Sequence, residues 1–152
     1  MDKDTLQNIL DEHTLWWETL GREGGRADLS GAALRGANLR GANLALAYLA
    51  GADLQLADLT EAYLAGADLR GANLAYANLT GATLAYANLS GADLYRAFLP
   101  DANLSRAYLA RANLVQSDLS GADLPGADLR GANLTEANLT EANLTETKGV
   151  QE

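Results

Sequence analysis

The chain has 152 residues, of which 48% are hydrophobic, a net charge of −9 and no cysteine. That length suits one domain, and the lack of cysteine excludes a disulfide framework, a thiolate nucleophile and a cysteine-based metal centre. The sequence contains neither a long apolar run nor a leader with a basic start and an apolar core. We therefore expect neither a membrane span nor a secretory signal, and the cytoplasm is the expected location.

Residues 1–26 differ from the rest and predict an amphipathic helix of about four turns followed by a linker. Asp4 is the predicted N-cap, and Gly21 and the Gly24-Gly25 pair are predicted to stop the helix. Apolar side chains recur there at helical spacing and are predicted to form one buried face. The members of this face are Leu6, Ile9, Leu10 and Leu20, with either Trp16 or Trp17.

A five-residue unit repeats without a break over residues 27–146. Leu occupies every fifth position from Leu29 to Leu144, which gives 24 units. Ala stands two positions before each Leu except at Ser117, and Asn or Asp directly precedes the Leu in 18 units. Ala and Leu are therefore predicted to face inward, and the other three positions to face water.

A period of five suits neither an α-helix nor a flat strand. Successive Leu side chains would rotate by about 140° around an α-helix, and they would alternate between the two faces of a sheet. A chain that turns a corner once per five residues instead directs every Leu to one axis, which predicts a solenoid. Asn and Asp can hydrogen-bond the local backbone at such corners, and Gly tolerates the positive φ that they require.

The tandem pattern A-(D/N)-L-x-x over residues 27–146 resembles the pentapeptide-repeat family. The resemblance implies an all-β solenoid, namely a right-handed quadrilateral β-helix in which four units make one square coil. On that geometry the 24 units form about six coils, and residues 1–26 form an N-terminal α-helical cap over the first coil. The alternative is a membrane-surface or partner-binding helix, although the six acids and three bases of this segment disfavour anionic lipid.

Residues 147–152 form a polar tail that is too short to cover the last coil. In several relatives the C-terminal end dimerises, so the resemblance and the missing cover together predict a homodimer through the C-terminal coil. A monomer with a frayed or tail-shielded end is the alternative. Glu136, Glu141 and Glu146 crowd this coil, and their mutual repulsion disfavours tight burial unless they lie on its rim.

The sequence shows no constellation of catalytic residues. His13 is the only histidine and lies in the predicted helix, where a structural role is expected. The Asp side chains of the repeat are predicted to serve turns and ladders, because a convex rod offers no water-excluding pocket that would shift their pKa. We therefore expect no enzyme activity, no cofactor and no metal site.

The outward side chains predict a protein interaction surface. Residues 20 apart share a column when four units make a coil, so a semi-apolar patch is predicted from Leu56, Tyr76, Tyr95, Arg96 and Val115. Aromatic residues and Arg are favoured at protein interfaces. The alternative interpretation is that these residues are ordinary ladder neighbours without a partner. The predicted function is a protein interaction or scaffold module with an unidentified protein partner.

A DNA mimic is the alternative function. Some relatives resemble B-form DNA in width and negative surface, and they bind DNA gyrase or topoisomerase IV. The repeat body of this chain carries 13 acids and seven Arg. The Arg are interleaved with the acids along the chain, and no loop interrupts a coil, so both features count against mimicry. The acidic balance also argues against direct binding of nucleic acid.

Overall fold

The computed structural model describes residues 1–150 and begins with helix α1, Lys3–Glu18. Asp2 is the N-cap, and its carboxylate accepts hydrogen bonds from the backbone N–H and the hydroxyl of Thr5, both at 2.8 Å. Asp4, the predicted N-cap, instead lies in the first helical turn. The reason is local geometry, since Asp2 has the extended backbone that a capping residue needs. No helix within residues 1–150 has the length and apolar content required to cross a bilayer.

A stack of coils follows the helix. Each residue that precedes a Leu forms a parallel bridge with a residue 20 positions away, from Asp28 with Tyr48 to Asp128 with Lys148. A bridge is one residue long, and residues 1–150 contain no longer strand. The backbone N–H of Leu29 donates to the Tyr48 carbonyl at 2.7 Å, and the same pattern recurs along the stack. This spacing places four pentapeptides in each coil.

The two residues after each Leu turn the chain through a corner. The Ala32 N–H donates to the Leu29 carbonyl at 3.0 Å, and the second residue after every Leu has φ between 52° and 72°. This arrangement is the geometry of a type II turn. Gly occupies 11 corners, and the other 13 hold a side chain at positive φ, which costs about 1 kcal/mol or more per residue. The carboxylate of Asp28 supports its corner by accepting from the Ser30 N–H at 3.1 Å, and the same bond recurs in other units.

Leu and Ala fill the interior of the stack, in agreement with the predicted inward positions. The Leu at every fifth position from Leu29 to Leu129 is buried. Ser117 replaces an inward Ala, and its hydroxyl is satisfied by the Leu114 carbonyl at 2.7 Å. Burial declines in the last coil, where the core positions Leu134, Leu139 and Leu144 are only half-buried.

Helix α1 lies against the first coil through one part of its apolar face. Leu6, Ile9 and Leu10 are partly buried and pack against the Leu and Ala core. Ala32 and Ala37 of the first coil are also partly buried against this core. Part of the apolar face of α1 therefore packs on the core of the repeat body.

The C-terminal part of α1 departs from the predicted buried face. Trp16 is half-buried and stacks on His13, with 5.5 Å between the ring centroids. Trp17 is 45% exposed and Leu20 is 86% exposed, so neither is buried against the coil. Leu20 is displaced because the helix ends at Glu18 and the chain turns away at Leu20 with φ of 56°.

Candidate interaction surface

The predicted patch lies along one edge of the rod, where corner residues recur every 20 positions. Leu56, Tyr76 and Arg96 occupy successive corners of this column, and all three are exposed. Each has φ between 52° and 61°. These three side chains are thus displayed from a backbone conformation that favours Gly. Gln116 continues the column in the next coil.

Four side chains of this edge contact one another directly. Tyr76 and Tyr95 meet edge to face, with 5.6 Å between the ring centroids, and the Arg96 guanidinium lies 5.4 Å from the Tyr95 ring centroid. The Gln116 side-chain oxygen accepts from Arg96 Nε at 2.6 Å and from the Tyr95 hydroxyl at 3.2 Å. Gln116 also donates to the Glu136 carboxylate. We call Tyr76, Tyr95, Arg96 and Gln116 the tyrosine–arginine cluster.

The two remaining residues of the predicted patch flank this cluster. Leu56 lies one coil before Tyr76 and is exposed, whereas Val115 is half-buried in the coil after Tyr95. The predicted patch did not include Gln116, because it consisted of apolar, aromatic and Arg residues. Gln116 lies 20 residues after Arg96, and this spacing is the sequence signal that places it in the same column.

An open cleft of about 420 Å³ borders the tyrosine–arginine cluster. Phe98, which is 51% exposed, forms its apolar wall on the adjoining side of the rod. Asp118 contributes a carboxylate to the same cleft. The cleft therefore offers two aromatic rings, a cation and an anion within one small surface. Its lining comprises Tyr76, Arg96, Ala97, Phe98, Gln116 and Asp118.

Negative charge is concentrated on one side of the rod, the side built from the repeats of Leu39, Leu59 and every twentieth residue after them. It carries five of the 13 acids of the repeat body but only one of the seven Arg, Arg40, which pairs with Glu61 at 3.4 Å. Counting charges along the chain missed this clustering, although the 20-residue spacing contains it. We call this side the acidic face, and its acids are Asp58, Glu61, Asp101, Asp118 and Glu141.

Hydrogen bonds order two carboxylates of the acidic face. The Thr60 hydroxyl donates to the Asp58 carboxylate at 2.6 Å, and the Thr60 backbone N–H donates to it at 3.0 Å. These bonds hold the pKa of Asp58 below its ordinary value. Asp118 accepts in the same way from the Ser120 N–H at 3.0 Å, so these side chains have structural partners as well as exposed charge.

The described residues contain no group of three or more His, Asp and Glu side chains arranged to hold a metal ion. His13 is fully buried and accepts a hydrogen bond from the Ala27 backbone at 3.0 Å, which is a structural contact between α1 and the first coil. The acids instead lie singly along the ladders, and Asn113 donates to Asp93 across one coil step at 2.9 Å.

The family of the chain follows from its sequence. The family model described as pentapeptide repeats (8 copies) matches residues 27–64, 62–101, 87–124, 102–140 and 112–148. The chain belongs to the pentapeptide-repeat family, which confirms the prediction made from the motif. Membership implies a right-handed quadrilateral β-helix, consistent with the 20-residue bridge spacing.

Solved structures of other family members resemble this chain. HetL, a pentapeptide repeat protein involved in heterocyst differentiation regulation from the cyanobacterium Nostoc sp. strain PCC 7120, is 36% identical with a TM-score of 0.54. That match covers 84% of this chain but only 65% of HetL. Rfr23 from the cyanobacterium Cyanothece 51142 is 32% identical over 94% of each chain, with a TM-score of 0.37.

A third similar structure is trypsin-treated QnrB1, a plasmid-mediated fluoroquinolone resistance protein. It is 20% identical with a TM-score of 0.40, and the match covers 82% of this chain and 78% of QnrB1. No curated protein matches the chain.

Proposed function

We propose that this chain is a non-enzymatic protein interaction module whose partner binds the tyrosine–arginine cluster. In this proposal the body is a rod of six coils and helix α1 is the cap of its first coil. The observation that carries the proposal is the ordered contact of Tyr76, Tyr95, Arg96 and Gln116 beside an open cleft.

Three properties of the cluster support binding of a protein. Tyr and Arg are enriched among residues that dominate binding energy, because they combine large contact area with hydrogen-bonding groups. The hydrogen bonds to Gln116 restrict Arg96 and Tyr95 before a partner arrives, which lowers the entropy cost of binding. Positive φ at Tyr76 and Arg96 carries a conformational cost that Gly at these corners would avoid. This cost favours a function for the two side chains.

The proposal is tested with a double substitution, Tyr76→Ala with Tyr95→Ala, and a matched control, Tyr108→Ala. Tyr108 is 51% exposed and lies on another side of the rod. Proteins bound by the wild-type chain in host lysate are identified, purified and titrated against each variant. We expect the double variant to weaken binding by at least tenfold and Tyr108→Ala to leave it unchanged. Equal binding by all three proteins would contradict the proposal.

The acidic face supports a second candidate function, a DNA mimic that binds DNA gyrase or topoisomerase IV. Its five acids against one Arg give the rod one predominantly negative side, which is the charge pattern that basic DNA-binding channels attract. The charges of the other three sides are nearly balanced, so the net negative charge of the repeat body comes mainly from this face.

A gyrase supercoiling assay with titrated protein and a salt series tests this candidate. The informative variant is Glu61→Gln, Asp101→Asn and Glu141→Gln. The control removes three acids elsewhere, Asp28→Asn, Asp123→Asn and Glu136→Gln. Salt-sensitive inhibition that is lost in the first triple variant and kept in the second would support the mimic. No effect of the wild-type protein at large excess would exclude it.

We also propose that a second copy of the chain covers the C-terminal coil. Leu134, Leu139 and Leu144 are half-buried there, and their side chains and backbone form the last layer of the stack within residues 1–150. Sedimentation of wild type, Leu139→Lys and the control Thr140→Lys tests this. A dimer that is lost only with Leu139→Lys is expected, and a wild-type monomer at all concentrations would refute the proposal.

A further inference from the structure

His13 joins helix α1 to the start of the β-helix. It is the buried residue of this helix, with 0% of its surface exposed. Its Nδ1 accepts a hydrogen bond from the backbone N–H of Ala27 at 3.0 Å. An imidazole nitrogen accepts only when it carries no proton, so the ring is neutral and its proton is on Nε2. Ala27 is the first residue of the first repeat, so this bond fixes the helix to the coil.

The surroundings of His13 offer little that would stabilise a positive ring, since only the Ala45 carbonyl acts in that direction. Nε2 has no hydrogen-bond partner within the part of the chain that the structure describes. The groups around the His13 ring come from three elements. Helix α1 provides the Trp16 ring, and the first coil provides backbone groups of Ala27 and Ala45. The linker provides the guanidinium of Arg26. The three ion pairs found in residues 1–150 involve neither His13 nor Arg26.

Arg26 is itself held close to this junction. Its guanidinium lies 3.8 Å from the Tyr48 ring centroid and donates to the Tyr48 hydroxyl at 2.8 Å. It also lies 6.0 Å from the Trp16 ring that stacks on His13. A protonated His13 would therefore be a second cation beside a fixed one. Like charges in a poorly solvated place repel strongly.

Burial lowers the pKa of His13 below the ordinary value of 6.5, and Arg26 acts in the same direction, while the Ala45 carbonyl opposes them. A histidine whose pKa is lower in the docked state than in the undocked state takes up a proton on undocking. The docked helix is therefore fully stable above about pH 6.5 and loses stability as the pH falls below that value.

We propose that protonation of His13 releases helix α1 from the first coil, so that mild acid uncovers the N-terminal end of the β-helix. A proton on Nδ1 would place two N–H donors against each other, one from the ring and one from Ala27. Swinging the helix away removes this clash and gives the charged ring access to water. The movement exposes Leu6, Ile9 and Leu10 together with the coil surface beneath them. This release of the helix is separate from the proposed partner binding, which uses a different part of the rod.

Tryptophan fluorescence of the full chain tests the proposal, because Trp16 and Trp17 are the only tryptophans and both lie in α1. The emission is recorded from about pH 7.5 to about pH 5.5 at constant ionic strength, above the range in which ordinary carboxylates titrate. We expect a red shift with a one-proton midpoint below about pH 6.5. The docking equilibrium constant should change by at most about tenfold per pH unit.

His13→Gln is the informative variant, because its amide oxygen can accept from Ala27 but does not titrate. Its emission is expected to stay constant over the same pH range. Glu12→Gln, which alters an exposed neighbour, is the control and should retain the wild-type shift. A constant wild-type emission, or an equal red shift in His13→Gln, would overturn the proposal.

An NMR titration of the wild-type His13 ring decides the matter if His13→Gln does not dock its helix at neutral pH. The proposal expects an imidazole pKa below 6.5 and loss of Ala27 amide protection as the ring becomes protonated. A ring pKa at or above 6.5, or unchanged Ala27 protection in the protonated state, would overturn it.

Discussion

The two ends of the rod carry the same repeat but differ in what lies over it. In the first coil Leu34 and Leu39 are buried, with helix α1 packed beside them, whereas Leu134 and Leu139 in the last coil are half-buried. The Leu39 N–H donates to the Asp58 carbonyl at 2.7 Å, and Leu139 makes no such backbone bond within residues 1–150. The burial of a unit is therefore decided by its neighbours rather than by its own five residues.

The largest expected effect comes from a matched pair of core truncations, Leu84→Ala in the middle and Leu144→Ala in the last coil. Both positions lie in one column of the rod. Leu84 is fully buried, so its truncation should cost about 2–5 kcal/mol of the free energy of unfolding. Leu144 is half-buried, so about 1 kcal/mol is expected there. Guanidinium unfolding of dilute protein measures both free energies of unfolding. Equal losses in the two variants would contradict the difference between the middle and the last coil.

The next effect concerns the cover of the first coil. Ile9→Asp puts a carboxylate into the contact between α1 and the core, and we expect a loss of about 1–2 kcal/mol together with a red shift of tryptophan emission. Asn8→Asp adds the same charge at an exposed position of the same helix and serves as the control. If both variants behave alike, the helix does not protect this end through its apolar face.

A smaller loss of stability is expected from Gly→Ala substitutions at two corners of the middle coils, and it should differ between them. Gly66 and Gly71 both have φ near 60°, so Ala at either position should cost about 1 kcal/mol. A Cβ at Gly66 would also lie 2.6 Å from Leu46 Cδ2, whereas a Cβ at Gly71 would meet nothing within 4 Å. Thermal unfolding should therefore rank Gly66→Ala below Gly71→Ala. The reverse order would show that Leu46 moves aside without cost.

The smallest effect on stability is expected from a surface pair near the C-terminal end. The Arg130 guanidinium donates to Asp128 at 2.8 and 2.6 Å and lowers the pKa of Asp128 to about 2. A lowered carboxylate pKa gives stability that is present above about pH 3.8 and lost as the pH falls toward 2. An NMR titration should show the pKa of Asp128 rising in Arg130→Gln but not in Arg70→Gln. An unchanged value in Arg130→Gln would contradict this assignment.

The repeat made the core predictable, while the ends and the surface needed contacts that the sequence does not state. An unbroken period of five specifies which residues face inward and, at 20 residues per coil, which residues share a column. Asp2 and Asp4 both stand near the start of the helix and both have a side chain that can cap it, so only the backbone geometry decides between them. Leu20 continues the helical spacing, yet the linker folds back through a bond from the Gly25 N–H to the Glu12 carbonyl at 3.1 Å.

The surface contacts were also only partly predictable from the sequence. Tyr76, Tyr95 and Arg96 were predictable as neighbours, because their column positions follow from the repeat. Their mutual contacts run through Gln116, a polar residue that composition does not distinguish from any other outward position. The acidic face was hidden because acids and Arg are interleaved along the chain, whereas one side of the rod collects five acids and one Arg.

Hydrogen exchange of the Leu39 and Leu139 amides at several protein concentrations tests the comparison of the two ends most directly. Slow exchange of Leu39 is expected at every concentration, since its N–H is bonded to the Asp58 carbonyl of the second coil. Leu139 should exchange rapidly in dilute protein and more slowly when concentration brings a second copy onto the last coil. Leu139 as protected as Leu39 in dilute solution, or Leu39 as fast as Leu139, would contradict the account.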